Sequence, residues 1–262
     1  MPDNIRNQTL LITGANRGIG KEILDQVIRR DAKKVYAAVR DPRSVAPLIA
    51  QHGERVVAVR VDLNDPNSII EAAGVAKDVD IVINSAGIMK MKSALEPDAI
   101  DALQAEIEIN VYGLMRVAQA FAPVLNQNGG GVFVQLNSVA SVKASANFAT
   151  YCASKAASYS ITQGLRDLLS RQGTRVISAH PGPTQTDMGA SAGFGDFATP
   201  VSQVADAILD AIDGEAFHAW VGPLAQMVSR SYQAFVDNVI DGDMQAIRAQ
   251  AFGIDEQQNV SN

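Results

Sequence analysis

Two side chains that could transfer a proton, Tyr151 and Lys155, stand four positions apart in a segment that predicts a helix over 150–170. This spacing puts both side chains on one helical face. A free tyrosine has a pKa near ~10 and is a poor base at neutral pH. A neighbouring ammonium favours the phenolate, with an attraction of ~4 kcal/mol at ~4 Å and an effective dielectric constant of ~20. We expect Lys155 to lower the pKa of Tyr151 into a working range, although desolvation opposes this effect.

A glycine-rich turn with the sequence Thr-Gly-Ala-Asn-Arg-Gly-Ile-Gly occupies residues 13–20. It follows a predicted strand at 9–13 and opens a predicted helix near 18–30. Glycine allows unusual backbone angles and a close approach to a pyrophosphate, and a helix start offers unpaired N–H groups with partial positive charge. The strand before the turn and the helix after it are the context that a phosphate-binding motif requires. The turn therefore predicts a dinucleotide site.

Strand-like and helix-like segments alternate along the chain. The predicted strands are apolar runs at 9–13, 34–39, 55–61, 80–84, 132–137, 175–180 and 218–221. Helices are predicted between them, near 18–30, 43–52, 66–76, 97–106, 107–125 and 150–170. This alternation predicts an α/β fold, a single Rossmann-type doubly wound parallel sheet with helices on both faces. The ligand crevice is expected at the carboxyl ends of the strands.

We expect residues 1–262 to form one dinucleotide-binding and catalytic domain. The segment 183–200 is rich in Gly, Ala, Ser and Thr and is either a surface loop or a substrate lid. Its place after a strand at the binding edge favours the lid. Residues 223–252 are predicted to be helical, and the stretch 227–235 could pack against the body of the protein or against another subunit.

Composition limits the classes of protein to which this chain could belong. Apolar residues make up 47% and charged residues 19%, which suits a packed core rather than disorder. The formal net charge of -6 argues against nucleic-acid or membrane-surface partners. No apolar segment is long enough for a signal or a membrane span, so a cytoplasmic protein is expected. Cys152 alone cannot form an intrachain disulfide and is interpreted as a packed residue, while His180 and His218 are interpreted as structural.

The order of several motifs resembles the short-chain dehydrogenase/reductase family. The turn has the family's Thr-Gly-x-x-x-Gly-x-Gly form, and the resemblance extends over about residues 9–186. Further signatures follow in the family's order: Asp62, Asn84-Ser85-Ala86-Gly87, Asn110, Ser138, Tyr151-x-x-x-Lys155 and Pro181-Gly182. The chain is most similar to compact bacterial reductases. It departs from the pattern at Ser85, usually a second Asn, and at Thr184, usually an aliphatic residue.

The resemblance implies four catalytic residues, which are Asn110, Ser138, Tyr151 and Lys155. Tyr151 would exchange a proton with the substrate oxygen, and Ser138 would polarise that oxygen as a preorganised donor. Lys155 would also hold the nicotinamide ribose. Asn110 would hold a water that relays protons to the lysine. This chemistry requires no metal.

The resemblance also implies how the dinucleotide would lie. Asp62 would hold the adenine amino group, and residues 84–87 would line the adenosine side of the cleft. Residues 181–186 would hold the nicotinamide carboxamide, with Thr186 as the hydroxyl. The expected cofactor residues are Gly14, Asn16, Arg17, Gly18, Ile19, Gly20, Arg40, Asp62, Leu63, Asn84, Ala86, Gly87, Tyr151, Lys155, Pro181, Gly182, Thr184 and Thr186.

The choice between NAD and NADP depends on the charge at the end of the second strand. NAD requires a carboxylate at the ribose 2′-hydroxyl, whereas NADP requires cations for its extra phosphate. Val39 stands where NAD-preferring relatives carry the acid, and Arg40 follows it. Arg17 lies in the turn where NADP-preferring relatives often have a basic residue, so two guanidiniums could bind one phosphate. NADP(H) is therefore expected, although Asp41 would oppose it if the strand ended one residue later.

The substrate pocket is expected to be apolar, which predicts a hydrophobic ketone or aldehyde as the carbonyl, or the corresponding alcohol. Its expected lining is Met89, Ser138, Ala140, Val142, Phe148, Met188 and Phe194, although core packing explains the apolar ones equally well. The resemblance implies a homodimer or homotetramer through the helices that contain Asn110 and Tyr151. Two alternatives stay open, an NAD-dependent alcohol dehydrogenase and a non-catalytic NADP(H)-binding redox sensor.

Overall fold

Seven parallel strands form one sheet in the computed structural model, which describes residues 4–237. The strand order is β3-β2-β1-β4-β5-β6-β7. The bounds are β1 Thr9–Thr13, β2 Lys34–Val39, β3 Val56–Arg60, β4 Ile81–Asn84, β5 Gly131–Leu136, β6 Thr174–Pro181 and β7 His218–Val221. Most strands are runs of Val, Ile and Leu that are buried almost throughout, because helices cover both faces of a parallel sheet.

Helices pack on both faces of this sheet. Their bounds are α1 Gly18–Arg29, α2 Ala46–His52, α3 Pro66–Val75, α4 Ala99–Ile107, α5 Gly113–Gln127, α6 Ala149–Ser170, α7 Asp187–Ser191, α8 Val201–Asp213 and α9 Pro223–Phe235. One apolar core joins the sheet to α1, α2 and α8. A second core, which contains Phe121 and Phe133, joins it to α3, α5 and α6. The doubly wound parallel sheet predicted from the sequence is confirmed.

The structure differs from the sequence prediction in where two helices begin or end. The helix expected at 43–52 starts as a 3₁₀ turn, Pro42–Val45, because the Asp41 side chain accepts the Arg43 N–H and a proline occupies the first position. The helices expected at 97–106 and 107–125 are continuous. They join through a π-helical turn, Glu108–Tyr112. Such turns often occur at functional sites.

The segment expected to be a loop or lid is ordered at its base. Thr184 and Thr199 form a parallel bridge, and Gln185 N–H donates to the Thr199 carbonyl at 2.9 Å. Between these points lie α7 and a 3₁₀ turn, Gly195–Phe197. Helix α9 begins the helical part expected at 223–252, of which residues 238–252 lie outside the described residues. Within residues 4–237, no helix has both the length and the apolar character required to cross a bilayer.

Candidate active site

Tyr151 and Lys155 lie on the same face of α6, as their spacing predicts. Lys155 Nζ lies 5.9 Å from the centre of the Tyr151 ring and donates a 2.8 Å hydrogen bond to the Leu136 carbonyl at the end of β5. The lysine side chain is buried. Burial lowers the pKa of Lys155 to about 8, because removing water disfavours the ammonium.

The pKa of Tyr151 shifts in the direction opposite to the sequence expectation. Burial raises it above its ordinary value, and the negative charge of Glu106 adds to the increase. A hydrogen bond with the Ser138 side chain lowers the pKa but does not offset the burial. The expected lowering by Lys155 was wrong for this structure, since desolvation of the phenolate outweighs any attraction of the nearby ammonium. The phenol is therefore neutral at neutral pH.

Ser138 is the second residue after β5 and caps the 3₁₀ turn Val139–Ser141. Its hydroxyl oxygen accepts from Ala140 N–H at 3.1 Å, and the hydroxyl donates to the Pro181 carbonyl at 3.4 Å. The same side chain hydrogen-bonds Tyr151. Since Ser138 lies just after β5 and Pro181 ends the neighbouring strand β6, the carboxyl end of the sheet brings this hydroxyl to the phenol of α6.

Asn110 lies in the π-helical turn, and its side chain is buried. Its Oδ1 accepts from Ile88 N–H at 2.9 Å, and its Nδ2 donates to the Ile88 carbonyl at 2.9 Å and to Ser154 Oγ at 3.0 Å. A Cβ on Gly87 would lie 3.0 Å from Asn110 Oδ1 and 3.7 Å from Lys155 Nζ. Asn110 thus fixes the loop after β4 beside Lys155, and a glycine there permits the close approach.

The glycine turn has the geometry required of a phosphate cradle. Gly14 and Gly18 have φ angles of +69° and +54°, which disfavour other residues. A Cβ on Gly20 would lie 2.5 Å from the Gly14 carbonyl oxygen. The side chain of Arg17, the residue that precedes α1, makes no capping hydrogen bond to the helix, so the positive end of the helix dipole can face an anion. These residues fit a dinucleotide pyrophosphate.

A cleft of about 550 Å³ lies between the glycine turn and the segment 184–201. Asn16, Arg17 and Gly18 line one side, and Thr184, Thr186 and Asp187 line the other. Arg17 Nη1 lies 3.3 Å from Asp187 Oδ2, and both side chains are largely exposed. Ile19 packs on the first core. The cleft brings the residues expected at the pyrophosphate close to those expected at the nicotinamide.

The residues expected at the adenosine end differ in whether their side chains are free to contact a ligand. Asp62 follows β3, and its Oδ1 accepts from Asn64 N–H at 3.0 Å. Ala86 packs against Gly14, and buried Leu63 packs against Gly113. The side-chain amide of Asn84 is buried and hydrogen-bonds Thr13 and Gln135. This side chain therefore stabilises the sheet, and only the backbone of Asn84 could contact a ligand.

Asp41, which the sequence left as a possible opponent of NADP, is engaged elsewhere. Strand β2 ends at Val39. The Asp41 carboxylate forms a two-point ion pair with Arg43, at 3.0 Å for each hydrogen bond. Arg40 is exposed and makes no ion pair with any residue from 4 to 237. The guanidinium at the end of β2 is therefore available to an anion.

The residues expected at the nicotinamide, 181–186, begin with the last residue of β6. Gly182 N–H donates to the Val221 carbonyl at 2.9 Å, and Thr184 Oγ1 donates to the Gly182 carbonyl at 3.0 Å. Thr186 caps α7 by accepting from Gly189 N–H at 3.0 Å. Its methyl group would lie 3.4 Å from a Cβ on Gly18, so it faces the phosphate turn.

The expected substrate residues differ in their exposure and in their contacts. Phe148 and Phe194 meet edge to face with ring centres 6.3 Å apart, which joins the start of α6 to the segment 183–200. Met89 is half-buried and Met188 is exposed. Ala140 is buried, and Val142 packs against the second core.

Sequence reasoning missed two groups of buried polar residues at this site. Glu106 is fully buried on α4, and its Oε1 accepts from Lys90 N–H at 2.6 Å. Its Oε2 has no hydrogen-bond partner among residues 4–237. The position of Glu106, one helical turn before Asn110, could have suggested that both hold the same loop. The second group lies at the carboxyl ends of β5 and β6 and contains Gln135, Asn137, Ser178 and His180. Of these, the sequence analysis named only His180, as a structural residue.

The glycine turn between β1 and α1, at the carboxyl edge of a parallel sheet covered on both faces, defines the class as a Rossmann-type α/β protein. The chain belongs to the short-chain dehydrogenase family, whose model matches residues 8–194. It is therefore an oxidoreductase of a family that uses NAD(P)(H).

Relatives and solved structures agree with this assignment. An uncharacterized oxidoreductase of Staphylococcus saprophyticus is 31% identical over 199 residues, which are 73% of this chain and 84% of that protein. A short chain dehydrogenase from Burkholderia cenocepacia, solved in complex with NADP, is 34% identical with a TM-score of 0.83, over 94% of this chain and 98% of that one. A family member from Burkholderia phymatum, in complex with NAD, shares the fold at 20% identity and a TM-score of 0.78, over 93% of this chain and 98% of that one.

Proposed function

We propose that the protein is an NADP(H)-dependent carbonyl reductase that transfers a hydride between the cofactor and a hydrophobic ketone or aldehyde. The observation that carries this proposal is the meeting of Ser138 with a neutral Tyr151 phenol beside buried Lys155. Carbonyl reduction requires a hydrogen-bond donor, a proton source and a cation close together, and Ser138, Tyr151 and Lys155 would supply them in that order.

In the reducing direction, bound NADPH supplies a hydride to the carbonyl carbon. The π electrons of the carbonyl move to its oxygen, where the Ser138 hydroxyl donates a hydrogen bond and stabilises the developing charge. Tyr151 gives its proton to this oxygen and becomes a phenolate. The Lys155 ammonium stabilises that phenolate, and Asn110 keeps the loop after β4 in place beside Lys155.

NADPH oxidation, measured against a panel of aliphatic and aromatic ketones and aldehydes, tests this function. We expect turnover of apolar carbonyls. If NADPH binds but no carbonyl in a broad panel is reduced, the redox-sensor alternative replaces the proposed enzyme. A higher kcat/KM with NADH than with NADPH would favour the NAD-dependent alcohol dehydrogenase.

The preference for NADP(H) rests on the cations at the adenosine end. Arg40 is exposed at the end of β2, and Arg17 lies in the turn. Among residues 4–237, the Arg17 guanidinium pairs only with the largely exposed Asp187, at 3.3 Å, which is a weak ion pair that a phosphate can displace. The engagement of Asp41 by Arg43 keeps its carboxylate occupied. The NADP complex of the relative from Burkholderia cenocepacia adds support.

Arg40→Ala is expected to lower kcat/KM for NADPH by about tenfold or more, because a charge-assisted hydrogen bond to phosphate contributes about 1.5–3 kcal/mol. The kcat/KM for NADH should change less than twofold. Arg171→Ala, at the far end of α6, removes another exposed arginine and is the matched control. An equal loss with both cofactors would contradict a phosphate contact.

The pH dependence of reduction should follow the ammonium of Lys155. Burial lowers the pKa of Lys155 to about 8, so this group is protonated at neutral pH and loses its proton as the pH rises through about 8. We expect kcat/KM for NADPH, which reports on the free enzyme, to fall above that pH. A flat profile from pH 7 to 9.5 would show that the ammonium is not needed.

We also propose that the protein forms a homodimer or homotetramer through the helices that contain Asn110 and Tyr151. Large apolar side chains are exposed on this part of the surface, namely Ile100, Met115 and Leu168.

The segment 183–200 is proposed to close over the substrate, since Phe194 already meets Phe148 at the start of α6.

A further inference from the structure

A row of polar side chains crosses the sheet where apolar side chains are expected. Thr13, Asn84, Gln135 and Ser178 are register partners on the neighbouring strands β1, β4, β5 and β6. Each is at most 1% exposed. Burying polar groups costs free energy unless they are hydrogen-bonded, so the row requires internal partners.

The first half of the row links the cofactor turn to the middle of the sheet. Thr13 Oγ1 accepts from the N–H groups of Ser85 and Ala86, at 3.0 Å each, in the loop expected to line the adenosine. It donates to Asn84 Oδ1 at 2.9 Å. Asn84 Nδ2 then donates to Gln135 Oε1 at 2.7 Å.

The second half of the row ends at the proposed catalytic serine. Gln135 Nε2 lies 3.4 Å from Ser158 Oγ, which donates to Asn137 Oδ1 at 2.8 Å. Asn137 Nδ2 donates to Ser178 Oγ at 2.8 Å. Ser178 Oγ lies 2.7 Å from His180 Nε2, and His180 Nδ1 lies 3.0 Å from the Ser138 carbonyl oxygen.

These contacts fix the tautomer of His180. A carbonyl oxygen only accepts hydrogen bonds, so Nδ1 must carry a proton and donate to Ser138. In a neutral ring Nε2 is then an acceptor, and the Ser178 hydroxyl donates to it. This agrees with Ser178 Oγ accepting from Asn137. Burial lowers the pKa of His180 to about 3, so the ring stays neutral over the working range of pH.

The imidazole ring is also held from its sides. Trp220, the only tryptophan of the sequence, stacks on it at a centre distance of 4.3 Å and an angle of 23°. Tyr159 meets it edge-on at 4.8 Å. His180 is 0% exposed. Both ring nitrogens are therefore aimed by packing as well as by hydrogen bonds.

We propose that His180 is a positioning residue for Ser138. His180 holds the Ser138 carbonyl, and this orients the Ser138 hydroxyl towards the substrate oxygen. The end of β6 contacts both groups of Ser138. His180 Nδ1 holds the carbonyl at 3.0 Å, whereas the hydroxyl proton, directed to the Pro181 carbonyl at 3.4 Å, turns to the substrate oxygen when substrate binds, because a serine hydroxyl has only one donor. The inference rests on the proposed reductase function, because it assigns the serine a role in turnover. His180 does not touch the reacting atoms, and its effect passes through Ser138.

Three substitutions separate the two ring contacts. His180→Asn places an amide N–H about where Nδ1 is and keeps the donor to Ser138. His180→Gln reaches the Nε2 position and keeps an acceptor for Ser178 but loses that donor. His180→Phe keeps the ring on Trp220 and loses both. The matched control is His218→Phe, since His218 belongs to the same ring cluster but hydrogen-bonds Tyr159.

The measurements are kcat, KM for the carbonyl, the Kd for NADPH and the Tm of each variant. We expect His180→Phe and His180→Gln to lower kcat about tenfold or more, with the Kd for NADPH within twofold. His180→Asn should regain most of the lost kcat, and His218→Phe should keep it. Equal kcat values for the Asn and Gln variants, or a Phe variant as active as His218→Phe, would overturn the positioning role. The Asn–Gln comparison still decides if the Phe variant does not fold.

A readout without turnover is the ¹⁵N NMR signature of the His180 ring. We expect a neutral ring protonated at Nδ1 from pH 5 to 8. A ring protonated at Nε2 could not donate to the Ser138 carbonyl and would overturn the proposal. Turnover by the wild-type protein is measured first, since wild-type inactivity counts against the reductase function. An active wild type with unaffected His180 variants counts against the positioning role alone.

Discussion

Tyr151→Phe is expected to lower kcat by about 10³-fold while leaving the Kd for NADPH nearly unchanged. The substitution removes only the hydroxyl that gives up the proton in the proposed mechanism, and positioned proton transfer contributes about 10²- to 10⁴-fold. A loss of 10³-fold corresponds to about 4 kcal/mol of transition-state stabilisation. The measurement is single-turnover and steady-state NADPH oxidation, with cofactor binding followed by fluorescence.

The control for this prediction is Tyr36→Phe. Tyr36 lies on β2, and its hydroxyl donates to Asp78 at 2.8 Å. The loss of this hydroxyl should cost about 1.5–3 kcal/mol of stability, as for a hydrogen bond to a charged group, and leave turnover intact. If Tyr151→Phe kept more than about a tenth of wild-type kcat, the proton would have to come from another group, and the proposed mechanism would lose its acid.

Lys155→Met is expected to lower kcat/KM by about 10²-fold or more and also to weaken NADPH binding. In the proposed mechanism, the variant removes the charge that stabilises the Tyr151 phenolate and the contact with the nicotinamide ribose that the family resemblance implies. The fold should persist, because the Leu136 carbonyl that Lys155 contacts also accepts from Gln135 Nε2 at 3.1 Å. No buried acceptor is therefore left without a partner.

Lys155→Arg should not restore activity, although it keeps the charge. A Cβ on Gly87 would lie 3.7 Å from Lys155 Nζ, so the loop leaves little space for a planar guanidinium, and arginine does not replace a compact ammonium at such a site. Lys143→Met, an exposed lysine after the Ser138 turn, controls for loss of positive charge near the cleft. Near-normal kcat/KM in Lys155→Met, with the variant folded by its Tm, would contradict the role of the ammonium.

The raised pKa of Tyr151 changes how the site is understood. A phenolate stabilised before substrate arrives would suit oxidation of an alcohol, whereas a neutral phenol is ready to donate to a carbonyl oxygen. Burial and the charge of Glu106 both raise this pKa. The ammonium of Lys155 then matters most after the proton has left, when the phenolate must be stabilised.

The sequence alone determined the sheet, the phosphate turn and the helical face shared by Tyr151 and Lys155. These features depend on local periodicity, glycine chemistry and a spacing of one helical turn, and each can be deduced within a short window. The tertiary structure decided the rest. It determined the pairing of Asp41 with Arg43, the direction in which the pKa of Tyr151 shifts, and the contact between His180 and Ser138. Burial, and contacts between residues distant in sequence, set these properties, and no local pattern contains either.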